Sequence, residues 1–176
     1  MGASVLLLDP KYPHNVGGAY RAAACFGAGS VYITGERVPL EPHKGYRLPR
    51  EERLRSYRDE VKLQTVESLD DVVEGGIPVA VEVDHGAEQL HHFEHPEDAV
   101  YVFGPEDGSI PKGWRTVCQR FVVIPSYHCL NLAGAVYVVL YDRLAKRRIS
   151  GLDPEIPSYQ LMSGETRGYV EHSPRD

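Results

Sequence analysis

Short apolar runs separated by turn-forming residues recur along the chain and predict a set of buried strands. The run Ser4–Leu8 is too short for a helix and is bounded by Asp9 and Pro10, which is typical of a buried parallel strand. Runs of the same kind predict further strands at residues 30–34, 78–83, 100–103 and 120–124.

Helical patterns occupy several of the stretches between these runs. Asn15 can cap a helix to about residue 26, and Pro111 fits the first turn of a helix to about residue 117. The last helix, from Leu132 to about Arg147, is apolar on more than one face, so we expect a second subunit to cover part of it. Strands that alternate with helices predict a parallel α/β sheet flanked by helices, with ligands bound at the carboxyl ends of the strands.

The length of 176 residues suits one domain, which we place at residues 1–149. Residues 150–176 are rich in Gly, Pro, Ser and charged residues without periodicity, which predicts a flexible C-terminal tail. The long loop 35–50 contains three prolines and leads into a predicted charged helix, Arg50–Tyr57. Loops of this length in compact domains are usually functional or mobile.

The cysteines and the absence of long apolar stretches indicate a cytoplasmic protein. Cys25, Cys118 and Cys129 are widely spaced and form no C-x-x-C pair, which argues against a disulfide framework and against a zinc site. No run approaches the ~20 apolar residues of a membrane span, and no secretory signal is visible. We therefore expect a reducing cytoplasm, no metal and no membrane partner.

The net charge of −6 conceals a strong segregation of charge. Residues 63–111 hold twelve acidic residues and no Lys or Arg, so thirteen acidic residues face all nineteen Lys and Arg elsewhere. Such segregation lets an acidic protein present a basic face to phosphates. Taken without the motifs, a solvated surface with interleaved helix ion pairs is the preferred explanation. The basic residues form two clusters: Lys44, Arg47, Arg50, Arg53, Arg55 and Arg58; and Arg143, Lys146, Arg147 and Arg148.

Several short motifs lie after predicted strands, and each has two interpretations. Gly17-Gly18 could let a ligand approach the backbone, or simply form a tight turn. Residues 103–108, Phe-Gly-Pro-Glu-Asp-Gly, could wrap an adenosine with Glu106 as hydrogen-bond acceptor, or form a polar turn. Asn131 could serve a site or cap the last helix. The histidines at 85, 91, 92 and 95 are expected to be solvated rather than metal ligands.

Taken together, three blocks in this order are similar to those of a known family. Asn15, Gly17 and Arg21 match the block N-x-G-x-x-x-R, and residues 103–106 match F-G-P-E. The third block, I-P…L-N, is matched by Ile124, Pro125, Leu130 and Asn131. From Val5 to about Arg148 the chain resembles the TrmH-like (SpoU) branch of the SPOUT superfamily of RNA methyltransferases.

The resemblance implies a fold, a cofactor and a reaction. It implies a parallel sheet with a C-terminal deep trefoil knot, S-adenosylmethionine as cofactor, a homodimer, and 2′-O-methylation of a ribose in structured RNA, either tRNA or rRNA. It assigns catalysis to Arg21, Asn15, Glu106 and Asn131. It assigns cofactor binding to Phe103, Gly104, Pro105, Gly108, Ile124, Pro125, Leu130 and Leu132. We expect the first basic cluster, between Lys44 and Arg58, to bind RNA.

Departures from the family pattern keep alternatives open. Ala133 stands where many relatives have Ser, and residues 126–129 form a shorter segment than in wobble-position tRNA relatives. One alternative is therefore a protein of the same fold that binds RNA or S-adenosylmethionine without turnover. A nucleotide-binding oxidoreductase is a third interpretation, which lacks support because Gly27-x-Gly29 has no third glycine and precedes a strand.

Overall fold

The computed structural model describes residues 2–40, 61–68, 71–72 and 76–153. The chain divides into two units after Leu144, and of the second unit residues 145–153 are described. None of the helices in the described ranges is long and apolar enough to cross a membrane.

The first unit is built on a parallel sheet, as the apolar runs predict. In the described part of the chain the sheet has seven strands in the order β3-β2-β1-β6-β4-β7-β5, and each neighbouring pair is parallel. The strands are β1 (Ser4–Leu7), β2 (Ser30–Ile33), β3 (Lys62–Thr65), β4 (Ile77–Val81), β5 (Glu88–Gln89), β6 (Ala99–Phe103) and β7 (Arg120–Val123).

Three α-helices accompany the sheet in the described residues: α1 (Pro13–Phe26), α2 (Lys112–Val117) and α3 (Leu132–Ile149). A short 3₁₀ turn, Leu90–His92, follows β5. α1 begins at Pro13, whose missing N–H costs nothing in a first turn, and ends at Gly27. Gly27 takes the left-handed conformation, with a φ of 75°, that glycine adopts without a steric penalty.

The prediction that Asn15 caps α1 is wrong. The helix starts two residues earlier, with Tyr12 at the cap position, so Asn15 lies inside the first turn. There it is buried, with an exposed fraction of 2%. A buried amide needs hydrogen-bond partners, and those of Asn15 come from other loops, as described below.

Apolar side chains cover both faces of the sheet. On one face Val5 and Leu7 of β1 join Val16 of α1 and Val136 of α3 in the larger core. On the other face Leu6 packs in a smaller cluster that includes Ile110, Val102 and, partly buried, Trp114 of α2. Alternate residues of one strand supply the two clusters, because successive side chains point to opposite faces. The sheet is thus flanked by helices on both sides, as predicted.

The structure contradicts the expectation that all four histidines are solvated. The side chain of His95 is 3% exposed. Its Nδ1 lies 2.6 Å from the hydroxyl of Tyr101 on β6, and its Nε2 lies 2.7 Å from Oδ2 of Asp142 on α3. His95 therefore links the central sheet to α3 through a buried polar chain, a role that its polar sequence neighbours conceal.

Candidate active site

The three matched blocks meet at the carboxyl edge of the sheet. The loops after β1, β6 and β7 all leave this edge, and they bring together Asn15, Glu106 and Asn131. The Nδ2 of Asn15 donates a 2.6 Å hydrogen bond to Oε1 of Glu106. The Nδ2 of Asn131 donates at 3.4 Å to Oδ1 of Asn15. Three of the four predicted catalytic residues thus form one hydrogen-bonded chain.

Glu106 accepts two more hydrogen bonds, both from the loop after β1. The backbone N–H of Lys11 donates to Oε2 at 2.7 Å, and that of Tyr12 donates to Oε1 at 3.3 Å. Burial on its own raises the pKa of Glu106, but the bonds from Asn15, Lys11 and Tyr12 outweigh it and hold this pKa below its ordinary value of 4.5. Glu106 is therefore an ionised acceptor at neutral pH, unsuited to donating a proton.

Asn131 serves two purposes that the sequence presents as alternatives. Its Oδ1 accepts a 2.6 Å hydrogen bond from the backbone N–H of Gly134, which caps the first turn of α3. Its amide nitrogen remains directed to Asn15. One side chain thus fixes the start of α3 and joins α3 to the site.

A cavity of about 230 Å³ opens beside this chain, between the ends of β4, β6 and β7 and the start of α3. Seven of the eight predicted cofactor-binding residues line it; Pro125 is not among the described residues that do. The predicted residues that line the cavity are Phe103, Gly104, Pro105, Gly108, Ile124, Leu130 and Leu132, with the predicted catalytic Glu106. The sequence analysis missed Val81, Glu82, Val83, Val123, Ser126, Cys129 and Ala135.

Gly104 is required by the close return of the loop after β6. A Cβ placed on Gly104 would lie 2.9 Å from the backbone nitrogen of Ile110, nearer than real Cβ atoms approach. Only glycine lets residues 104–110 fold back on themselves while still lining the cavity.

The ionisable groups that line the cavity are acidic. Among the described residues they are Glu82, Glu106 and Cys129, with no Lys or Arg. Apolar walls and two carboxylates suit a ligand that is neutral or positively charged at its centre. They do not suit a pyrophosphate, whose negative charge the two carboxylates would repel.

Arg21, the fourth predicted catalytic residue, lies on α1 and is half-buried. It is not among the described residues that line the cavity. The nearby Gly18 lies inside α1 rather than at a turn, and it faces Ala133 of α3, since a Cβ on Gly18 would lie 2.8 Å from that of Ala133. Gly18 is therefore the site of a close helix contact, and both glycines lie within α1 rather than in an anion-binding turn.

Arg37, which the sequence analysis did not single out, ties two loops together. Its Nη1 lies 3.0 Å from both carboxylate oxygens of Asp107, and its Nε lies 2.9 Å from Oδ2 of Asp9. The Nζ of Lys11 adds a second cation 3.3 Å from Asp107. The hydrogen bond from Arg37 lowers the pKa of Asp107, an effect that desolvation of the carboxyl only partly opposes. The cluster clamps the outer side of the loop that carries Glu106.

The predicted RNA-binding residues, from Lys44 to Arg58, lie outside the described residues. The second basic cluster is not a uniform exposed patch. Arg143 is 5% exposed and donates to the backbone oxygen of Glu97 at 2.9 Å. Arg147 forms a paired contact with Asp153 at 2.7 and 2.8 Å. In the described ranges no group of three or more His, Cys, Asp or Glu side chains could hold a metal ion.

Comparisons with known proteins give the chain a family. The SpoU rRNA Methylase family matches residues 2–141. A 23S rRNA (uridine(2479)-2′-O)-methyltransferase of Streptomyces viridochromogenes is 26% identical over 170 residues, which cover 87% of this chain and 55% of that protein.

Solved structures show the same fold. The SpoU methyltransferase AviRb of S. viridochromogenes, in complex with AdoMet, has a TM-score of 0.69 at 23% identity and covers 82% of this chain and 57% of its own. The TrmH/SpoU tRNA modifying enzyme of A. aeolicus has a TM-score of 0.71 at 18% identity. The match covers 91% of this chain and 83% of that enzyme. The chain spans little more than half the length of the two Streptomyces relatives.

Proposed function

The chain belongs to the SpoU rRNA Methylase family, and we propose from this premise that it transfers a methyl group from S-adenosylmethionine to a ribose 2′-hydroxyl of structured RNA, either tRNA or rRNA. The observation that carries the proposal is the hydrogen-bonded chain of Glu106, Asn15 and Asn131 at the rim of the cavity. The relative from Streptomyces viridochromogenes, which is named for this reaction, supports it.

The cavity residues fit S-adenosylmethionine. The apolar walls at Phe103, Ile124, Leu130 and Leu132 can hold the adenosine, and the glycine at 104 keeps the backbone accessible. The remaining proposed cofactor-binding residues are Pro105, Gly108 and Pro125. When bound, this cofactor supplies an electrophilic methyl group on a positively charged sulfur, which suits a cavity that carries carboxylates and no cation among its described lining residues.

We assign the alignment of the substrate to Arg21, Asn15, Glu106 and Asn131. Arg21 orients the ribose and its phosphate and stabilises the negative charge that develops on the 2′-oxygen, since a guanidinium stays protonated in proteins and is a poor proton acceptor. Glu106 and Asn131 hold Asn15 from two sides, so the rim keeps one geometry before RNA binds. Such preorganisation is the main contribution a protein can make to an in-line displacement.

We infer that the active form is a homodimer. Val138 and Tyr141 on α3 are apolar or aromatic but 38% and 61% exposed. The rings of Tyr137 and Tyr141 both contact Phe26 of α1 edge to face, at 5.9 and 5.8 Å between centroids. A second copy that packs on this face would bury it. Sedimentation of the purified chain tests the stoichiometry.

We also keep three finer predictions as proposals. Residues 1–149 would form the SPOUT methyltransferase domain, with 150–176 as its tail. The chain from β6 to α3 would thread a trefoil knot, which the placement of β7 on the far side of β4 from β6 supports. A cytoplasmic location follows from the proposed RNA substrates.

RNA would be held by the cluster of basic residues at Lys44, Arg47, Arg50, Arg53, Arg55 and Arg58. The acidic segment 63–111 repels phosphates, so this cluster is the concentrated positive charge that remains near the N-terminal half. In a dimer, two such clusters would act together and offset the unfavourable net charge.

The decisive experiment incubates the purified chain with labelled S-adenosylmethionine and total RNA and then maps 2′-O-methyl nucleotides. Label on ribose hydroxyls supports the proposal; label only on bases, protein or small molecules overturns it. The principal alternative, a protein of the same fold without turnover, predicts cofactor or RNA binding by calorimetry and no label on any RNA pool. Binding of NAD(P) would instead favour an oxidoreductase.

A further inference from the structure

Glu82 is a carboxylate in the cavity that no part of the proposed mechanism uses. It follows β4 directly, and β4 lies between β6 and β7, the two strands whose loops form the other walls. Glu82 lines the cavity together with Gly104 and Ile124. A charged side chain at the centre of three strand ends faces any ligand that enters between them.

The hydrogen bonds of Glu82 hold it in place and leave acceptor capacity unused. Its Oε1 accepts from the backbone N–H of Val83 at 3.1 Å, and its Oε2 accepts from that of Ile110 at 3.0 Å. An ionised carboxylate has about four lone-pair sites, so each oxygen can accept once more. The second bond also secures the loop that returns past Gly104.

The two carboxylates of the cavity differ in the hydrogen bonds that they accept. Glu106 accepts hydrogen bonds from the side-chain amide of Asn15 and from the backbone N–H groups of Lys11 and Tyr12. Within the described part of the chain Glu82 is in no ion pair with Lys or Arg, and Arg115, which reaches the loop after β4, is paired with Asp84. Among the described residues, the negative charge of Glu82 therefore has no cationic partner.

We propose that Glu82 is the counter-ion of the sulfonium centre, so that the chain distinguishes the cationic cofactor from its neutral thioether product. The inference rests on the proposed function, because it assumes that S-adenosylmethionine occupies this cavity. S-Adenosylmethionine and S-adenosylhomocysteine differ by the methyl group and its positive charge. A carboxylate in a partly desolvated cavity favours the charged ligand, which aids release of the product after transfer.

Calorimetry tests the inference by measuring the affinities of S-adenosylmethionine and S-adenosylhomocysteine for the parental chain and for three variants. In Glu82→Gln the ratio of the two affinities, cofactor over thioether, should fall roughly tenfold, because the charge is gone while the shape is kept. Glu82→Asp should keep the parental ratio even where both affinities drop, because it keeps the charge. Glu94→Gln, which removes the same charge from an exposed position, should leave both affinities unchanged.

The parental chain provides a measurement that needs no substitution. An analogue with an ammonium group in place of the sulfonium should bind about tenfold more tightly than the neutral thioether. An unchanged ratio of cofactor to thioether affinity in Glu82→Gln would overturn the inference, and so would equal affinities of the ammonium analogue and the thioether. Neither result would contradict the proposed function. Failure of the parental chain to bind either S-adenosylmethionine or its thioether contradicts the proposed function itself.

Discussion

Asn15 and Glu106 are joined by a 2.6 Å hydrogen bond across 91 residues of sequence. The bond replaces the helix-capping role that the sequence suggests for Asn15, and it places a buried amide against an ionised carboxylate. Because hydrogen bonds to charged groups are stronger than neutral ones, this pair has measurable consequences for stability and for its dependence on pH.

Replacing Asn15 by Ala should destabilise the fold by about 1–2 kcal/mol at pH 7, because Glu106 loses a charge-assisted bond. The folded-state pKa of Glu106 is lowered, so its contribution to stability is present above its ordinary value of 4.5 and is lost as the pH falls through the lowered pKa. Urea unfolding between pH 7 and pH 3.5 measures the free energy of unfolding of the parental chain and of Asn15→Ala. The difference between these two free energies should become smaller as the pH falls. His14→Ala, at an exposed position of α1, is the control. A loss of unfolding free energy in Asn15→Ala that is the same at every pH would contradict the proposed role of ionised Glu106.

Gly18→Ala should destabilise the chain by about 1–3 kcal/mol, more than alanine gains in helix propensity, since its Cβ would press on that of Ala133. Adding Ala133→Gly should restore part of the loss, and chemical denaturation of the four chains gives the coupling energy. Gly113→Ala on α2 is the matched control, because a Cβ there meets nothing within 4 Å. Equal effects at the two glycines would contradict the close packing of α1 and α3.

Arg37→Ala should weaken S-adenosylmethionine binding by about two- to fivefold at low salt, because Asp107 loses one of the two cations that hold its loop and keeps only Lys11. The effect should shrink at high salt, since the groups are exposed and screened. Calorimetry at two salt concentrations measures both, with Lys112→Ala as the control for loss of an exposed cation. A deficit that does not depend on salt would argue for a packing role instead.

Arg21→Ala should reduce methyl transfer by about a hundredfold or more while cofactor affinity stays at the parental value, because the role proposed for Arg21 is on the RNA and Arg21 is not among the described residues that line the cavity. Arg21→Lys should retain more turnover than Arg21→Gln, since it keeps the positive charge. Single-turnover assays and calorimetry separate the two effects. A parental rate in Arg21→Ala would remove this residue from the mechanism.

Reversing Arg50, Arg53 and Arg55 to Glu should abolish RNA binding and leave S-adenosylmethionine binding unchanged. Phosphate contacts dominate the affinity of proteins that recognise RNA by shape, so parental binding should also fall steeply with salt. Filter binding over a salt series measures both. Reversal of Lys62 and Lys112, exposed residues outside the cluster, is the control, and unaltered RNA affinity in the triple variant would refute the proposed face.

The strands that the sequence predicts all lie inside the sheet, between two neighbouring strands. β1, β2, β4, β6 and β7 begin and end within two residues of the predicted bounds, because continuous apolar runs mark central parallel strands. β3 and β5 were missed because both lie at the edges of the sheet and carry polar, largely exposed residues. Their positions depend on their neighbours rather than on their own pattern.

The sequence motifs predicted which loops form the site better than they predicted which side chains contact one another. The cavity gathers eight predicted site residues, seven of them predicted to bind the cofactor. The predicted strand 78–83 placed Glu82 inside a strand, whereas β4 ends at Val81 and leaves Glu82 at the cavity. His95 was misjudged for a related reason, since nothing local shows that Tyr101 and Asp142 enclose it. Contacts between distant residues are what a single sequence does not contain.

The residues of the site are far apart in sequence, and this separation determines at what point during synthesis the site can form. Asn15 and Asn131 are 116 residues apart, and α3, which Asn131 caps, closes one side of the cavity. At about 5–20 residues per second, ribosomal synthesis of the intervening chain takes on the order of ten seconds. A nascent or truncated polypeptide that ends before α3 carries Glu106 and Asn15 but lacks the wall formed by Leu132 and Ala135. The cavity proposed to hold the cofactor is therefore complete only after α3 has been synthesised.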